Sequence, residues 1–291
     1  MKVVLSPNPY RDRGLKAALR ASAILEQGGI ETSMCLPFSL DSGSRVELPS
    51  QQEFRAMQAE LKNADMLICF GGDGTILHAA RDAIAHKVPV LGVNMGSVGF
   101  MAELEHSELD LLSRVAEKKY TLEPRMMLDV VIRRGKDIVC RDLALNDAVI
   151  TKGAIARVIQ LTVCCDGVEA TSYSGDGLIV CTPTGSTAYS MSAGGPIIEP
   201  SAKNLLITPI CAHAMLAKSI VISPRRVISV KIGKIGRHNA FLSIDGGRAY
   251  RLNTGDIITA KCSEKVTKLV RLKQTSFFEI LNKKFIDRQR Y

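Results

Sequence analysis

The chain has 291 residues with a formal net charge of +9, from 38 basic against 29 acidic side chains, and 46% of it is hydrophobic. That suits one large domain or two ordinary ones with a real core, while the lack of tryptophan and of basic runs interleaved with aromatics argues against a nucleic-acid surface. No apolar run is long enough for a membrane span, so the positive surplus reads either as a plain basic surface or as a match for a small anionic partner such as a nucleotide.

Residues 2–6 read as a first strand, ended by Pro7 and Pro9. The apolar part of this N-terminus is too short for a signal peptide. A helical pattern over 12–27 stops at Gly28-Gly29. Residues 31–35 read as a second strand, the polar stretch to about 50 as a loop, 51–62 as a helix and 65–70 as a buried strand. Then come Gly71, Gly72, Asp73 and Gly74, with a helical pattern from Thr75 to about His86.

Strand, tight turn and helix N-terminus together present free backbone N–H groups to an anion. Glycine is expected here to reach φ > 0 cheaply and to let a phosphate approach the backbone. The carboxylate of Asp73 conflicts with simple phosphate binding, because it repels the ligand unless a metal ion or a transferable proton sits there. The conflict suggests phosphoryl chemistry. The stretch is neither a Walker A loop nor Gly-x-Gly-x-x-Gly, and an ordinary strand–helix turn with a solvated aspartate remains the alternative.

Residues 88–93 read as the next strand and 94–100 as a loop on the same sheet edge. Alternating strands and helices imply a parallel sheet with right-handed crossovers, whose ligands lie beyond the carboxyl ends of the strands. Residues 107–119 read as a helix. After Tyr120 the pattern becomes short β-branched runs at 127–133, 138–145, 158–164, 177–181, 205–210, 227–232, 240–244 and 257–262. Turns are read at Arg134-Gly135, Asp166-Gly167 and Gly175-Asp176-Gly177. These runs imply an all-β domain of two stacked sheets, with one helix at 186–192. A terminal helix at 276–284 is expected to return to the first domain. The expected boundaries are 1–124 with 275–291 for the α/β domain, and 125–274 for the β-sandwich.

The eight cysteines form no Cys-x-x-Cys pair and lie mostly in apolar runs, as reduced core residues of a cytoplasmic protein do. Zinc-ligand spacing is absent. Asn146-Asp147 offers donors and acceptors suited to sugar hydroxyls or an adenine edge, or is simply a turn. The hydroxyl-rich stretch 182–190 is a second cradle for an anion or a ribose, or a capped helix after a hairpin. Tyr189 could stack on a planar ring.

Gly71-Gly72-Asp73-Gly74-Thr75, Asn146-Asp147, Gly175-Asp176-Gly177, the stretch Thr182-Pro183-Thr184-Gly185-Ser186-Thr187-Ala188-Tyr189-Ser190 and Ser192-Ala193-Gly194-Gly195-Pro196 together resemble the NAD kinase family, in order and spacing over most of the chain. The glycine-aspartate turn alone is shared with phosphofructokinases and lipid kinases; the Thr-Gly-Ser-Thr-Ala-Tyr stretch is more specific. The chain departs from the family's common pattern at Asp147, where glutamate is usual. It also departs within 211–219, which lacks a usual proline, and at Gly247, where glutamine is common.

The resemblance implies a Rossmann-like parallel α/β domain followed by a β-sandwich domain. It also implies transfer of the ATP γ-phosphoryl group to the 2′-hydroxyl of the adenosine ribose of NAD, giving NADP. Asp73 would accept the hydroxyl proton; a carboxylate is a weak base, but in phosphoryl transfer positioning counts for more. Gly74 and Thr75 would offer N–H groups to phosphate, and a divalent cation, Mg²⁺ by expectation, would offset the charge. Asn146 and Asp147 would hold the adenosine, and Asp176, Thr187, Ala188, Tyr189, Ser190 and Ser192 the rest of the dinucleotide. His78 and Arg157 would neighbour phosphate. The resemblance further implies a homodimer or homotetramer, with Asp176 a candidate for lending to a neighbouring subunit, and a donor that is either ATP or polyphosphate. A diacylglycerol- or sphingosine-type lipid kinase and a non-catalytic nucleotide sensor are the competing readings.

Overall fold

Four segments, mostly apolar except for the polar edge strand Glu31–Met34, form a parallel sheet in the order Glu31–Met34, Lys2–Pro7, Met66–Gly71 and Val90–Asn94. The computed structural model describes residues 1–40, 46, 48–50, 52–96, 99–153, 157–212, 218–235 and 239–288; residues 97 and 98 of the 94–100 loop, and 213–217 of the departing segment, lie outside the described residues. The chain divides into two units, Met1–Pro124 with Thr267–Tyr291, and Arg125–Val266. No helix among the described residues is long and apolar enough to cross a membrane.

In the first unit, Met66–Gly71 and Val90–Asn94 are buried along their whole length, as central parallel strands are. The strand order changes direction between Lys2–Pro7 and Met66–Gly71, so the crevice beyond their carboxyl ends is where such a sheet binds ligands. Helix Lys16–Gln27 buries Ala17, Ala18, Ala21 and Leu25. Its first turn is held by buried Asp12, whose carboxylate accepts from the Ala17 and Ala18 N–H groups at 3.0 and 2.9 Å. It ends at Gly28, with Gly29 left-handed at φ 76°. The expected helix over 51–62 shrinks to Met57–Leu61, because Arg55 N–H donates to the Met34 carbonyl at 2.9 Å and ties the segment to the strand end. The expected helix over 107–119 is a 3-10 stretch, His106–Leu112, then Ser113–Ala116, with Glu105 and Glu108 capping each other's backbone at its start. The terminal helix spans Phe277–Arg288.

The second unit contains a six-stranded antiparallel sheet in the order Ile220–Ile222, Leu205–Ile210, Gly177–Cys181, Asp147–Lys152, Ala240–Ile244 and Ala249–Leu252. A second antiparallel layer has Val168–Gly175, Ile159–Cys165, Val227–Ile232 and the strand Ile257–Arg271 as far as Val266, with Thr121–Arg134 from Arg125 onward and Asp137–Ala144 alongside. Leu128, Ile132, Leu161 and Val163 from one layer pack with Ile150, Leu178, Val180 and Leu242 from the other, which makes a sandwich. Asp166-Gly167 is the expected hairpin turn, with both residues at positive φ, 50° and 83°. Gly175-Asp176-Gly177 is not a hairpin, because the strands on either side of it lie in different layers. Its glycines serve close approach instead: a Cβ on Gly177 would lie 2.0 Å from the Ile150 carbonyl oxygen. The pattern of short apolar runs missed Val168–Gly175 and Ala249–Leu252, exposed edge strands with mixed polarity, and Ile220–Ile222, an apolar edge strand only three residues long.

Candidate functional site

The helix after the glycine-rich turn begins at Asp73 itself and runs to Ile84, two residues earlier at each end than its pattern predicts. None of Gly71, Gly72 and Gly74 has positive φ, and Gly72 sits at φ −98°. The expectation of left-handed glycines is therefore corrected, since the strand passes straight into the helix and the glycines provide room. A Cβ on Gly71 would lie 2.2 Å from Thr75 Oγ1, whereas Gly72 and Gly74 face open space. The Thr75 N–H is already spent on the Gly72 carbonyl at 2.9 Å, which corrects its expected role as a phosphate donor. Its hydroxyl accepts from Asn8 Nδ2 at 3.3 Å. The N–H groups of Asp73 and Gly74 have no protein partner among the described residues, as expected at a helix start.

The Asp73 carboxylate is half-buried and held in place. Its Oδ2 accepts from the Phe100 N–H at 2.9 Å, and Oδ1 accepts from the Met101 N–H at 3.2 Å. Gly99 is required beside it, because a Cβ there would lie 2.2 Å from Oδ1. This clamp was invisible in the sequence, since it joins residues 27 and 28 positions apart.

In the second unit, Asn146 and Asp147 sit where Asp137–Ala144 of one layer gives way to Asp147–Lys152 of the other. Both side chains are buried. Asp245, left-handed at φ 49°, receives the backbone of this junction: its carboxylate accepts from the N–H groups of Leu145 and Asn146, both at 2.7 Å, and of Asp147 at 3.0 Å. Burial, and then the Asp245 charge, push the Asp147 carboxyl up to about 7. Asn146 Oδ1 is a buried acceptor with no protein partner among the described residues, and such groups normally have one. The sequence marked Asp245 only as part of a departing triplet, and its partners lie 98 to 100 residues away.

The hydroxyl-rich stretch 182–190 packs on the same junction. Thr182 Oγ1 donates to the Leu145 carbonyl at 2.6 Å and accepts from the Gly185 N–H at 3.1 Å. A Cβ on Gly185 would lie 2.1 Å from the Asn146 carbonyl oxygen. The expected helix over 186–192 is two short turns, Thr184–Thr187 and Tyr189–Ser192, broken at Ala188. Thr187 is buried, Ala188 is half-buried, and Tyr189 and Ser192 are exposed. Ser190 differs from expectation: it is fully buried, with its hydroxyl paired to that of Thr208 at 2.7 Å, so it braces the loop. Asp176 is ion-paired with Lys152 at 2.6 Å. His78 and Arg157 are exposed. Among the described residues no three His, Cys, Asp or Glu side chains converge on a metal position.

A carboxylate fixed at the mouth of a strand–helix turn, at the switch point of a parallel sheet and joined in one chain to a β-sandwich, defines a phosphotransferase of the glycine-aspartate class. Residues 26–120 match the ATP-NAD kinase N-terminal domain and residues 145–272 the ATP-NAD kinase C-terminal domain. The chain is 43% identical to the NAD kinase of Natranaerobius thermophilus over 97% of its own length and 96% of that protein's. It is 37% identical to the NAD kinase of Acetivibrio thermocellus over 99% and 98%. The chain belongs to the NAD kinase family, and its activity is that of an NAD kinase; the lipid-kinase and sensor readings are not favoured. A crystal structure of an Archaeoglobus fulgidus NAD kinase in complex with ATP superposes with a TM-score of 0.72 at 27% identity, covering 98% of each chain. Yeast NADH kinase complexed with NADH shares the fold, with a TM-score of 0.81 over 97% of this chain and 86% of that one, at 24% identity.

Proposed function

We propose that the protein moves the γ-phosphoryl group of ATP to the 2′-hydroxyl of the adenosine ribose of NAD, with Asp73 as the group that receives the hydroxyl proton. The ribose oxygen forms the new P–O bond, the bond between the γ-phosphorus and the β–γ bridging oxygen breaks, and ADP and NADP leave. The observation that carries this reading is the Asp73 carboxylate itself. Two backbone amides fix its direction, and a carboxylate has lone pairs to spare for a hydroxyl proton. The unpartnered N–H groups of Asp73 and Gly74 open a twelve-residue helix, which suits an anionic phosphate.

Asn146 is assigned to the adenosine because its buried Oδ1 lacks a donor, which an exocyclic amine would supply. Asp147 shares that role, and Asp176, Thr187, Ala188, Tyr189 and Ser192 are assigned to the remainder of the dinucleotide. His78 and Arg157 are assigned to phosphate. A divalent cation, Mg²⁺ by this reading, would be carried by the donor's phosphates and would offset their negative charge. All eight cysteines are free thiols, which suits a reducing cytoplasm. The assembly is read as a homodimer or homotetramer, to be checked by light scattering.

The test is incubation with NAD, ATP and Mg²⁺ and quantification of NADP, with polyphosphate and NADH substituted in turn. Asp73→Asn is expected to abolish NADP formation while its melting curve stays that of the parent. Normal turnover by that variant removes Asp73 from the role.

A further inference from the structure

The two amides that hold Asp73 belong to a short segment that is itself held from behind. Met101 uses its N–H on Asp73 and its carbonyl on Arg271, whose Nη1 donates to it at 3.2 Å. The same Nη1 reaches Glu103 Oε2 at 3.2 Å, and Arg271 Nε donates to Glu123 Oε2 at 2.6 Å. Glu103 is buried, at 7% exposure, and its Oε1 accepts from the N–H groups of Leu272 and Lys273 at 2.8 and 2.7 Å. Its own N–H donates to the carbonyl of Gly92, within the strand Val90–Asn94, at 2.8 Å. All of these residues lie in the first unit.

We propose that Arg271 and Glu103 are positioning residues for phosphoryl transfer: they lock the Phe100–Met101 amides that aim the Asp73 carboxylate. The proposal rests on Asp73 being the group that receives the proton. Neither residue reaches the carboxylate. They act through Met101, whose two backbone groups are both committed, the N–H to Asp73 and the carbonyl to the guanidinium. A buried glutamate whose Oε1 accepts from two consecutive N–H groups just past the strand end, and an arginine with three acceptors, form a charge-assisted network, which rigidifies its surroundings. Releasing it leaves Asp73 on its helix but lets the two donors swing. Misplacement by about 1 Å of a group that must meet a hydroxyl costs on the order of 10²-fold in rate.

The test measures kcat, the KM values for NAD and ATP, and the melting temperature of Arg271→Met, Glu103→Gln and Gly99→Ala beside Asp73→Asn. The expected result for Arg271→Met is a fall in kcat on the order of 10²-fold with little change in either KM, because an aim and not a binding contact is lost. Gly99→Ala is expected to give the same signature without touching the network, since its Cβ would displace Oδ1 directly. Wild-type kcat in a folded Arg271→Met or Glu103→Gln, or a loss confined to KM, overturns the proposal. Should those two fail to fold, Gly99→Ala decides alone, and wild-type turnover there overturns the clamp. A fully active Asp73→Asn would defeat the underlying role of Asp73, which differs from an inactive Asp73→Asn beside an active Arg271→Met.

Discussion

Asp147→Asn should stabilise the protein progressively as pH rises from 5 to 8. In the folded chain the Asp147 carboxyl is pushed up to about 7 by burial and then by the Asp245 charge. In the unfolded chain an aspartate titrates near 3.9. Between those two values the folded state holds a proton that the unfolded state has lost, so stability falls as pH rises from about 4 to about 7 and is level above that. The whole interval of about three units corresponds to roughly 4 kcal/mol, of which about 3 kcal/mol falls between pH 5 and 7. Asparagine cannot ionise and escapes this slope. Any fixed cost of burying its amide cancels when the two pH values are compared. The assay is thermal melting of parent and variant at pH 5 and pH 8. At roughly 2–4 °C per kcal/mol, the gap between them should move in the variant's favour by about 6–12 °C. Parallel melting temperatures across that range would refute the argument, because they would mean that Asp147 is ionised throughout.

Asn146→Ala should weaken NAD binding by about 1–3 kcal/mol, roughly 5- to 150-fold in Kd by calorimetry, if the buried Oδ1 takes a donor from the dinucleotide; an unchanged Kd would take Asn146 off the ligand. Gly71→Ala should destabilise the protein by about 1–3 kcal/mol, since the added methyl meets Thr75 Oγ1 at 2.2 Å. Gly72→Ala, with nothing within 4 Å and an ordinary φ of −98°, should stay within about 0.5 kcal/mol of the parent. Equal melting temperatures for the two variants would contradict the packing reading of this turn.

The parallel sheet was legible because Met66–Gly71 and Val90–Asn94 are continuous apolar runs buried on both faces. The glycine-aspartate turn was legible because side-chain-free residues around an acid are unusual. Its helix start was misread, since Asp73 and Gly74 are poor helix formers by propensity, yet the first turn lacks intrahelical N–H bonds and tolerates them. Exposed edge strands such as Val168–Gly175 carry polar residues on the open face, so their alternation did not stand out. The supporting shell left no local trace. Asp245 reaches back 98 to 100 residues and Arg271 reaches Glu103 across 168, distances at which periodicity carries no information.

What separates the aspartates of this chain is the set of donors each one meets. Asp73 meets two backbone amides from a braced segment, and Asp245 meets three from consecutive residues. Backbone amides are fixed in direction and lose no side-chain entropy in making the bond, so they aim a carboxylate more firmly than a lysine would. Asp147 meets no such donor among the described residues. It lies buried beside the charge of Asp245, whose own position is set by the amides of the residues flanking and including Asp147. The same clamp that shapes the backbone of the Asn146–Asp147 junction therefore also discourages ionisation there. A neutral carboxyl can donate as well as accept, a combination that suits sugar hydroxyls. If that is its use, Asp245→Asn should make Asp147 more acidic and move the midpoint of any pH dependence of NAD binding downward, and a midpoint that stays in place would show that Asp245 acts only as a backbone brace.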